Sequence, residues 1–344
     1  MDAIIHIGME KTGSTSIQGW KALNELALRE QGVVQMKQTG MIGPDMQLHR
    51  CASWVAHKEI GYSKKSAFAR IAAEQARKLP AIHEQASNEL ENLSAQDGVF
   101  LGSCEHLFSM SAEQIEGLET FLARYFGKVT YVVYMREPVE WYASLYSQVL
   151  RAGHTTTFSE YSERADGVQK RISRWKTNLQ LWSQTEGDLQ VRLLERDTLK
   201  NGDLYDDFAE IVGVTGAFDS PERMNEAIGA DFVNYAVEIN KVFAGRPPLP
   251  RNHHQRGRVM RHLSDFSRNA PKLKIGNTQA KAIYSEIDGI LEDIRGEYFP
   301  ERENLFVDRD HGDGVAATEL TSDLRTEIDQ KLAEQLLLDI WSAP

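Results

Sequence analysis

The chain has little cysteine, no long apolar run and no excess of basic charge. Its 344 residues include only Cys51 and Cys104, too few for a disulfide framework, which favours a reducing, cytoplasmic compartment. No stretch approaches the roughly 20 apolar residues of a membrane span, and the apolar run at residues 3–7 is too short for a signal peptide. The formal net charge of −11 argues against general binding of nucleic acid or anionic membranes. We therefore expect a cytoplasmic protein with no nucleic-acid partner and no stable membrane insertion.

Short apolar runs alternate with helical patterns along most of the chain. Strand-like runs occupy residues 3–8, 98–105, 129–135 and 189–194, and helical spacing occurs at 16–29, 64–93 (interrupted at Pro80), 112–126, 138–151, 171–184, 204–212, 223–243, 282–298 and 320–340. This alternation predicts an α/β fold, with a mostly parallel central sheet flanked by helices. We expect one domain over residues 1–307 and a helical C-terminal extension over 308–344. The extension carries the apolar stripe Leu324, Ile328, Leu332 and Leu336, which would dock on the domain or form a homodimer.

A loop rich in glycine and hydroxyl groups follows the first predicted strand. It reads Gly8-Met9-Glu10-Lys11-Thr12-Gly13-Ser14-Thr15-Ser16 and leads into a helix. Glycines let backbone N–H groups turn inward, and a helix N-terminus favours an anion, so the loop has the character of a phosphate cradle. It is not a Walker A motif, because Lys11 lies two residues before Gly13 instead of directly after it. The alternative is an ordinary strand-to-helix turn with Thr12 or Ser14 as N-cap.

A second anion-binding pattern follows the strand at residues 129–135. Arg136 ends that strand, Pro138 opens a helix, and Ser144 comes eight residues after the arginine. Helical side chains lean toward the helix N-terminus, so the Ser144 hydroxyl would point back toward Arg136. Together they would hold one phosphate, with the guanidinium as a planar donor fork. The alternative is an arginine at the sheet edge and an unrelated helix-surface serine.

The two segments together resemble the sulfotransferase family that uses 3′-phosphoadenylyl sulfate (PAPS), in its bacterial-type form. The family's 5′-phosphosulfate loop reads roughly Lys-Ser/Thr-Gly-Ser/Thr-Thr, and Lys11, Thr12, Gly13, Ser14 and Thr15 match it position by position. In that family the lysine contacts the phosphosulfate, the loop amides hold the 5′-phosphate, and an arginine and serine spaced like Arg136 and Ser144 bind the 3′-phosphate.

The resemblance implies a P-loop-like fold, PAPS as donor, 3′,5′-ADP as product and no required metal. The expected cofactor-binding residues are Lys11, Thr12, Gly13, Ser14, Thr15, Ser16, Arg136 and Ser144. One of these positions departs from the family. Ser16 stands where cytosolic members have a tryptophan beside the adenine, so the adenine contact is undefined.

The strand at residues 98–105 supplies the candidate catalytic base. Laying Ser103-Cys104-Glu105-His106-Leu107 over the family's Lys-Thr-His-Leu-Pro places Glu105 on the catalytic histidine. Carbohydrate sulfotransferases often use a glutamate there. The resemblance therefore implies Glu105 as base, with His106 as the second candidate and Lys11 as the residue that neutralises charge. A structural role for either Glu105 or His106 stays open.

The acceptor is not defined by these motifs, and we expect a small molecule, glycan or lipid with a hydroxyl or amine. Two alternatives remain. One is a P-loop kinase of a small metabolite, but the chain has neither the Gly-Lys-Ser/Thr motif nor an aspartate at the end of the second or third predicted strand, and the other is a non-catalytic nucleotide-binding module.

The remaining charged and metal-ligating residues give weaker signals. Glu195 is expected to be structural. Arg256-Gly257-Arg258 resembles a late 3′-phosphate loop only loosely, and we expect a solvated loop across the basic stretch from Arg246 to Arg261. His49, Cys51 and His57 lack a zinc-site spacing.

Overall fold

The computed structural model describes residues 1–37, 69–221, 227–245 and 250–341. Within them the chain forms one parallel sheet of five strands in the order β2-β3-β1-β4-β5. The strands are β1 (Asp2–His6), β2 (Val33–Val34), β3 (Val99–Ser103), β4 (Val129–Met135) and β5 (Asp188–Leu193). The predicted α/β class with a parallel sheet flanked by helices is confirmed.

The α-helices of the described residues are α1 (Ser14–Leu23), α2 (Glu25–Glu30), α3 (Ala69–Ser94), α4 (Ala112–Leu122), α5 (Pro138–Arg151), α6 (Phe158–Ser162), α7 (Ala165–Ser183), α8 (Leu204–Val212), α9 (Ala230–Ala244), α10 (Pro250–Phe266), α11 (Asn277–Tyr298) and α12 (Ser322–Trp341). The prediction of an interruption at Pro80 is wrong, because α3 continues through it. Pro80 is exposed, and the flanking turns, which bury Ala86 and Leu90, keep the segment helical despite the lost backbone hydrogen bond.

The position of β1 decides where the loops meet. β1 pairs with β3 on one side and with β4 on the other, and His6 lies opposite both Ser103 and Val132. The chain leaves β1 toward β2 and leaves β4 toward β5, in opposite directions across the sheet. In open parallel sheets the crevice at such a switch point, at the carboxyl ends of the strands, is the usual place for a ligand.

Helix α8 is fixed to the sheet by a buried carboxylate. Asp207 accepts a hydrogen bond of 2.7 Å from the Tyr134 hydroxyl, and it forms an ion pair with Arg192. Its neighbour Phe208 packs edge-on against Trp20 of α1. A carboxylate can be buried when several donors bond to it, as here. Because the donors come from β4 and β5, these bonds hold α8 in a fixed position on the two strands.

The chain divides into two compact units. The first (residues 1–137, 173–224 and 293–306) contains the sheet, and the second (138–172, 225–292 and 307–344) contains most of the later helices. In the second unit α12 packs on α10, with Ile328 and Leu332 buried. The middle of the apolar stripe, Ile328 and Leu332, therefore packs within this unit, and the side chain of Leu336 lies outside the described residues. The homodimer and the domain limit at residue 307 stay predictions.

The expected solvated loop around Arg256 is wrong where the structure describes it. Residues 250–266 form α10, with Val259, Met260 and Leu263 buried on one face. Arg256 donates to the Ala152 carbonyl at 2.6 Å, just beyond the end of α5, where a cation suits the helix dipole. The other predicted residues of this stretch, 246–249, lie outside the described residues.

Candidate functional site

The loop after β1 takes its shape from three residues with left-handed backbone. These are Gly8 (φ 52°), Lys11 (φ 64°) and Gly13 (φ 93°). The loop closes on the Met9 carbonyl, which accepts from the Thr12 hydroxyl at 2.7 Å and from the Ser14 hydroxyl at 3.2 Å. Thr12 is fully buried and Ser14 nearly so. Both hydroxyls therefore hold the loop from inside.

Helix α1 begins directly after Gly13. The Gly13 carbonyl accepts the first helical bond, from the Ile17 N–H at 2.9 Å, and Gly13 has no side chain with which to cap the helix. The first N–H groups of an α-helix have no carbonyl partner within the helix, and they carry the positive end of the helix dipole. Thr15 is exposed beside them and Ser16 is half-buried. This end of α1 has the donors and the polarity that an anion needs.

Gly13 also rests on α8. A Cβ at Gly13 would lie 2.6 Å from the Cδ2 of Leu204, the first residue of that helix. The glycine therefore satisfies two requirements, the left-handed backbone and the close approach of Leu204. Because α8 is anchored through Asp207, the start of α1 is supported from the sheet.

Glu105 and His106 lie at the centre of a tight turn after β3. The Leu107 N–H donates to the Cys104 carbonyl at 3.2 Å, which closes the turn around them. Both ends of the turn are bonded to the end of β1. The Cys104 N–H donates to the carbonyl of His6, the last residue of β1, at 2.9 Å, and the Phe108 N–H donates to the carbonyl of the next residue, Ile7, at 3.0 Å. Cys104 and Leu107 are buried, Glu105 is half-buried and His106 is exposed.

The loop and the turn touch at Gly8 and Glu105. A Cβ on Gly8 would lie 2.8 Å from the Glu105 Cα and 3.2 Å from its backbone nitrogen. The same Cβ would lie 2.8 Å from the Ser14 hydroxyl oxygen. The structure thus brings together the predicted loop and one predicted base, Glu105, through backbone contact. The more exposed His106 is one residue further along the turn.

Two polar side chains precede this contact by two residues, one on each strand. His6 ends β1 and Ser103 ends β3; both are fully buried, and Nδ1 of His6 lies 2.9 Å from the Ser103 hydroxyl oxygen. Burial, followed by the charge of Lys21, lowers the pKa of His6 from 6.5 to about 3, so its imidazole is neutral near pH 7. Neither residue was among the sequence candidates. The available signal was a lone polar residue near the end of each apolar run.

Arg136 and Ser144 fall in different units. Arg136 follows β4 in the first unit and is half-buried, next to the fully buried Glu137. Ser144 lies in α5 of the second unit, on a turn whose neighbours Ala143 and Leu145 are buried, and is itself half-buried. Arg136 follows the carboxyl end of β4, at the same edge of the sheet as the loop after β1. Their joint phosphate site stays a prediction.

Comparisons with protein-family models, with curated proteins and with solved structures find no match for this chain. Among the described residues, no group of three or more His, Cys, Asp or Glu side chains is placed to hold a metal ion. Within the same residues, none of the helices combines the length and the apolar character needed to cross a bilayer. The candidate site is therefore characterised by its own geometry: a loop, a helix N-terminus and a carboxylate at one edge of a parallel sheet.

Proposed function

We propose that the protein is a sulfotransferase that moves a sulfuryl group from PAPS to a hydroxyl or amine. The observation that carries the proposal is the contact between Gly8 and the Glu105 backbone. In that contact the backbone of Glu105, the candidate proton acceptor, meets a loop whose sequence, Lys11 to Thr15, resembles the family's phosphosulfate loop. A general base and an anion cradle at one point are what in-line transfer to an alcohol requires.

The loop residues have distinct roles in this proposal. The amides of Gly13, Ser14 and Thr15 hold the 5′-phosphate at the start of α1, and the ammonium of Lys11 neutralises charge on the bridging oxygen as the sulfur–oxygen bond to that phosphate breaks. Thr15 and Ser16 have exposed or half-buried side chains suited to ligand contact. Thr12 and the Ser14 hydroxyl instead maintain the loop through Met9. The fully buried Thr12 side chain acts inside the loop and not on the ligand.

Glu105 acts on the acceptor. Its carboxylate takes the proton of the attacking hydroxyl or amine, whose oxygen or nitrogen forms the new bond to sulfur. The products are the sulfated acceptor and 3′,5′-ADP. The acceptor class is a small molecule, glycan or lipid.

Calorimetry with 3′,5′-ADP, ATP and ADP tests the cofactor, and mass spectrometry tests the reaction. We expect 3′,5′-ADP to bind at least about tenfold more tightly than ADP, because only it carries a 3′-phosphate. Incubation with PAPS and a panel of alcohols, glycans and amines should give a product heavier by one sulfuryl group, with EDTA present or absent. A preference for ATP, with transfer that stops in EDTA and returns with magnesium, would favour the kinase alternative. Binding of 3′,5′-ADP without transfer to any acceptor would favour the non-catalytic module.

A further inference from the structure

His6 is the last residue of β1, and Ser103 is the last residue of β3. They are opposite each other in the parallel register, and they are the final paired residues before the two chains separate into the loop and the turn. Gly8 follows two residues after His6, and Glu105 follows two residues after Ser103. Any change in the spacing of this pair is therefore passed directly to the contact between Gly8 and Glu105.

The surroundings of His6 do not explain a histidine by packing alone. Its ring meets the Phe208 ring edge-on, with centroids 5.8 Å apart, and the Tyr134 ring at 6.1 Å. Among the described residues nothing forms a hydrogen bond with Nε2, although that atom is buried. An apolar side chain would suit this aromatic environment better, since a buried polar atom without a partner destabilises the fold. What the histidine adds is the bond from Nδ1 to Ser103.

We infer that His6 and Ser103 are positioning residues, whose side-chain hydrogen bond holds Glu105 at a fixed distance from the phosphate loop. The inference rests on the proposed function for its catalytic part. The backbone bonds from Cys104 to His6 and from Phe108 to Ile7 set the direction of the turn. The Nδ1 to Oγ bond fixes the separation of the two strand ends. Both side chains are fully buried, so they would act through the strand ends that carry the loop and the turn.

Four variants separate the bond from the bulk of the ring. His6→Asn keeps an amide close to the position of Nδ1 and removes Nε2. His6→Gln puts its amide near Nε2 instead. His6→Leu removes both, and Ser103→Ala removes the partner hydroxyl with the smallest loss of volume.

We expect His6→Asn to keep kcat within about threefold of wild type. His6→Leu and Ser103→Ala should each lose about tenfold or more, with the affinity for 3′,5′-ADP unchanged, because a small displacement of a catalytic group acts on the chemical step. The double variant His6→Leu/Ser103→Ala should be no worse than His6→Leu, as for two groups that act as one.

Phe126→Leu is the matched control for lost stability. Phe126 is buried just before β4, at the opposite edge of the sheet, where it stacks on Phe100. The Phe126→Leu substitution should lower the melting temperature of the protein and leave kcat unchanged. If Phe126→Leu reduced kcat as much as Ser103→Ala at equal stability, or if His6→Gln were more active than His6→Asn, the inference would be overturned.

Hydrogen–deuterium exchange tests the positioning itself, whatever reaction the protein performs. In Ser103→Ala the amides of residues 104–108 should exchange about tenfold faster, while Phe126→Leu leaves them protected relative to the rest of the sheet. Unchanged protection in Ser103→Ala would remove the inference even if the wild type transfers sulfate. Absence of sulfuryl transfer by the wild type, with faster exchange in Ser103→Ala, would count against the proposed function alone.

Discussion

Gly8 and Glu105 lie so close that no side chain fits between their backbones. The space for a Cβ on Gly8 is taken by the Cα of Glu105, 2.8 Å away. The glycine-rich loop after β1 and the turn that carries Glu105 are thereby in direct backbone contact. Under the proposed function, the Glu105 carboxylate would take up the proton of the acceptor beside the proposed anion site.

Glu105→Gln should lower kcat by about a hundredfold or more, because the amide keeps the size of the side chain and cannot accept a proton. The affinity for 3′,5′-ADP should be nearly unchanged in calorimetry. His106→Asn is the control, and we expect it to cost much less. Loss of turnover in His106→Asn with retention in Glu105→Gln would move the base one residue along the turn.

Lys11 is the one non-glycine residue of the loop with left-handed backbone, which disfavours any side chain. Lys11→Gly should raise the free energy of unfolding by up to about 1 kcal/mol relative to Lys11→Ala, which keeps the strain. Both variants lose the ammonium, and both should bind 3′,5′-ADP about tenfold more weakly. Urea unfolding and calorimetry measure the two effects separately. Wild-type affinity in both variants would show that the charge is not used.

The two loop glycines should respond differently to alanine. Gly13→Ala meets the tip of a leucine side chain, so it should destabilise the protein less in a Leu204→Ala background than in the wild type. Gly8→Ala meets backbone, which no second substitution removes, and should cost about 2 kcal/mol or more in either background. A double-mutant cycle by urea unfolding measures both couplings. Equal coupling of Leu204 to both glycines would contradict the described contacts.

Arg136→Ala should weaken 3′,5′-ADP far more than 5′-AMP. A charge-assisted hydrogen bond contributes about 1.5–3 kcal/mol, which is roughly a tenfold to hundredfold loss. Ser144→Ala should show the same preference with a smaller loss. Calorimetry with the two nucleotides distinguishes a lost 3′-phosphate contact from general damage, which would weaken both equally.

The buried His6 predicts a specific acid sensitivity. Its pKa is about 3 in the folded chain and near 6.5 when unfolded, so below pH 6.5 the unfolded chain binds a proton that the folded residue does not. The free energy of unfolding should fall as the pH drops from 6.5 toward 3, by at most about 1.4 kcal/mol per unit from this residue. In His6→Asn that contribution disappears, while the half-buried His83, whose pKa burial also lowers, contributes in both proteins. Urea unfolding between pH 7 and 4.5 should show that the free energy of unfolding falls less steeply with falling pH in His6→Asn than in the wild type. Equal slopes in the two proteins would show that the pKa of His6 is not lowered in the folded chain.

Local patterns sufficed for most of the fold. β1, β3 and β4 are largely apolar runs, β5 alternates apolar and polar residues, and Pro138 begins α5 as predicted. β2 is only Val33–Val34, and it was missed because its identity as a strand depends on pairing with Val99 and Phe100. The basic, proline-rich composition of the stretch from Arg246 to Arg261 obscured the apolar face of α10, which Val259, Met260 and Leu263 form. The loop was predicted from the charge and proline content of the stretch, although the spacing of its apolar residues fits a helix.

The candidate site was accessible from sequence only in its parts. Lys11 to Thr15 and Glu105 could be named because each follows a recognisable strand. The contact between Gly8 and Glu105 joins residues 97 positions apart, as does the bond from His6 to Ser103. Both depend on the order of strands in the sheet, which no single segment encodes. The inward direction of the Thr12 hydroxyl likewise depends on the fold of the loop around Met9.

The alternating assignment of the chain to two units has a consequence for synthesis. The polypeptide passes between the units five times, after residues 137, 172, 224, 292 and 306. No contiguous fragment therefore reproduces either unit, and a stop codon anywhere before residue 306 removes part of both. On the ribosome, the loop that is translated among the first twenty residues must wait for α8, from residue 204 onward, before Leu204 supports Gly13. The support of a loop that begins near the N-terminus is therefore completed only after more than half of the chain has been made.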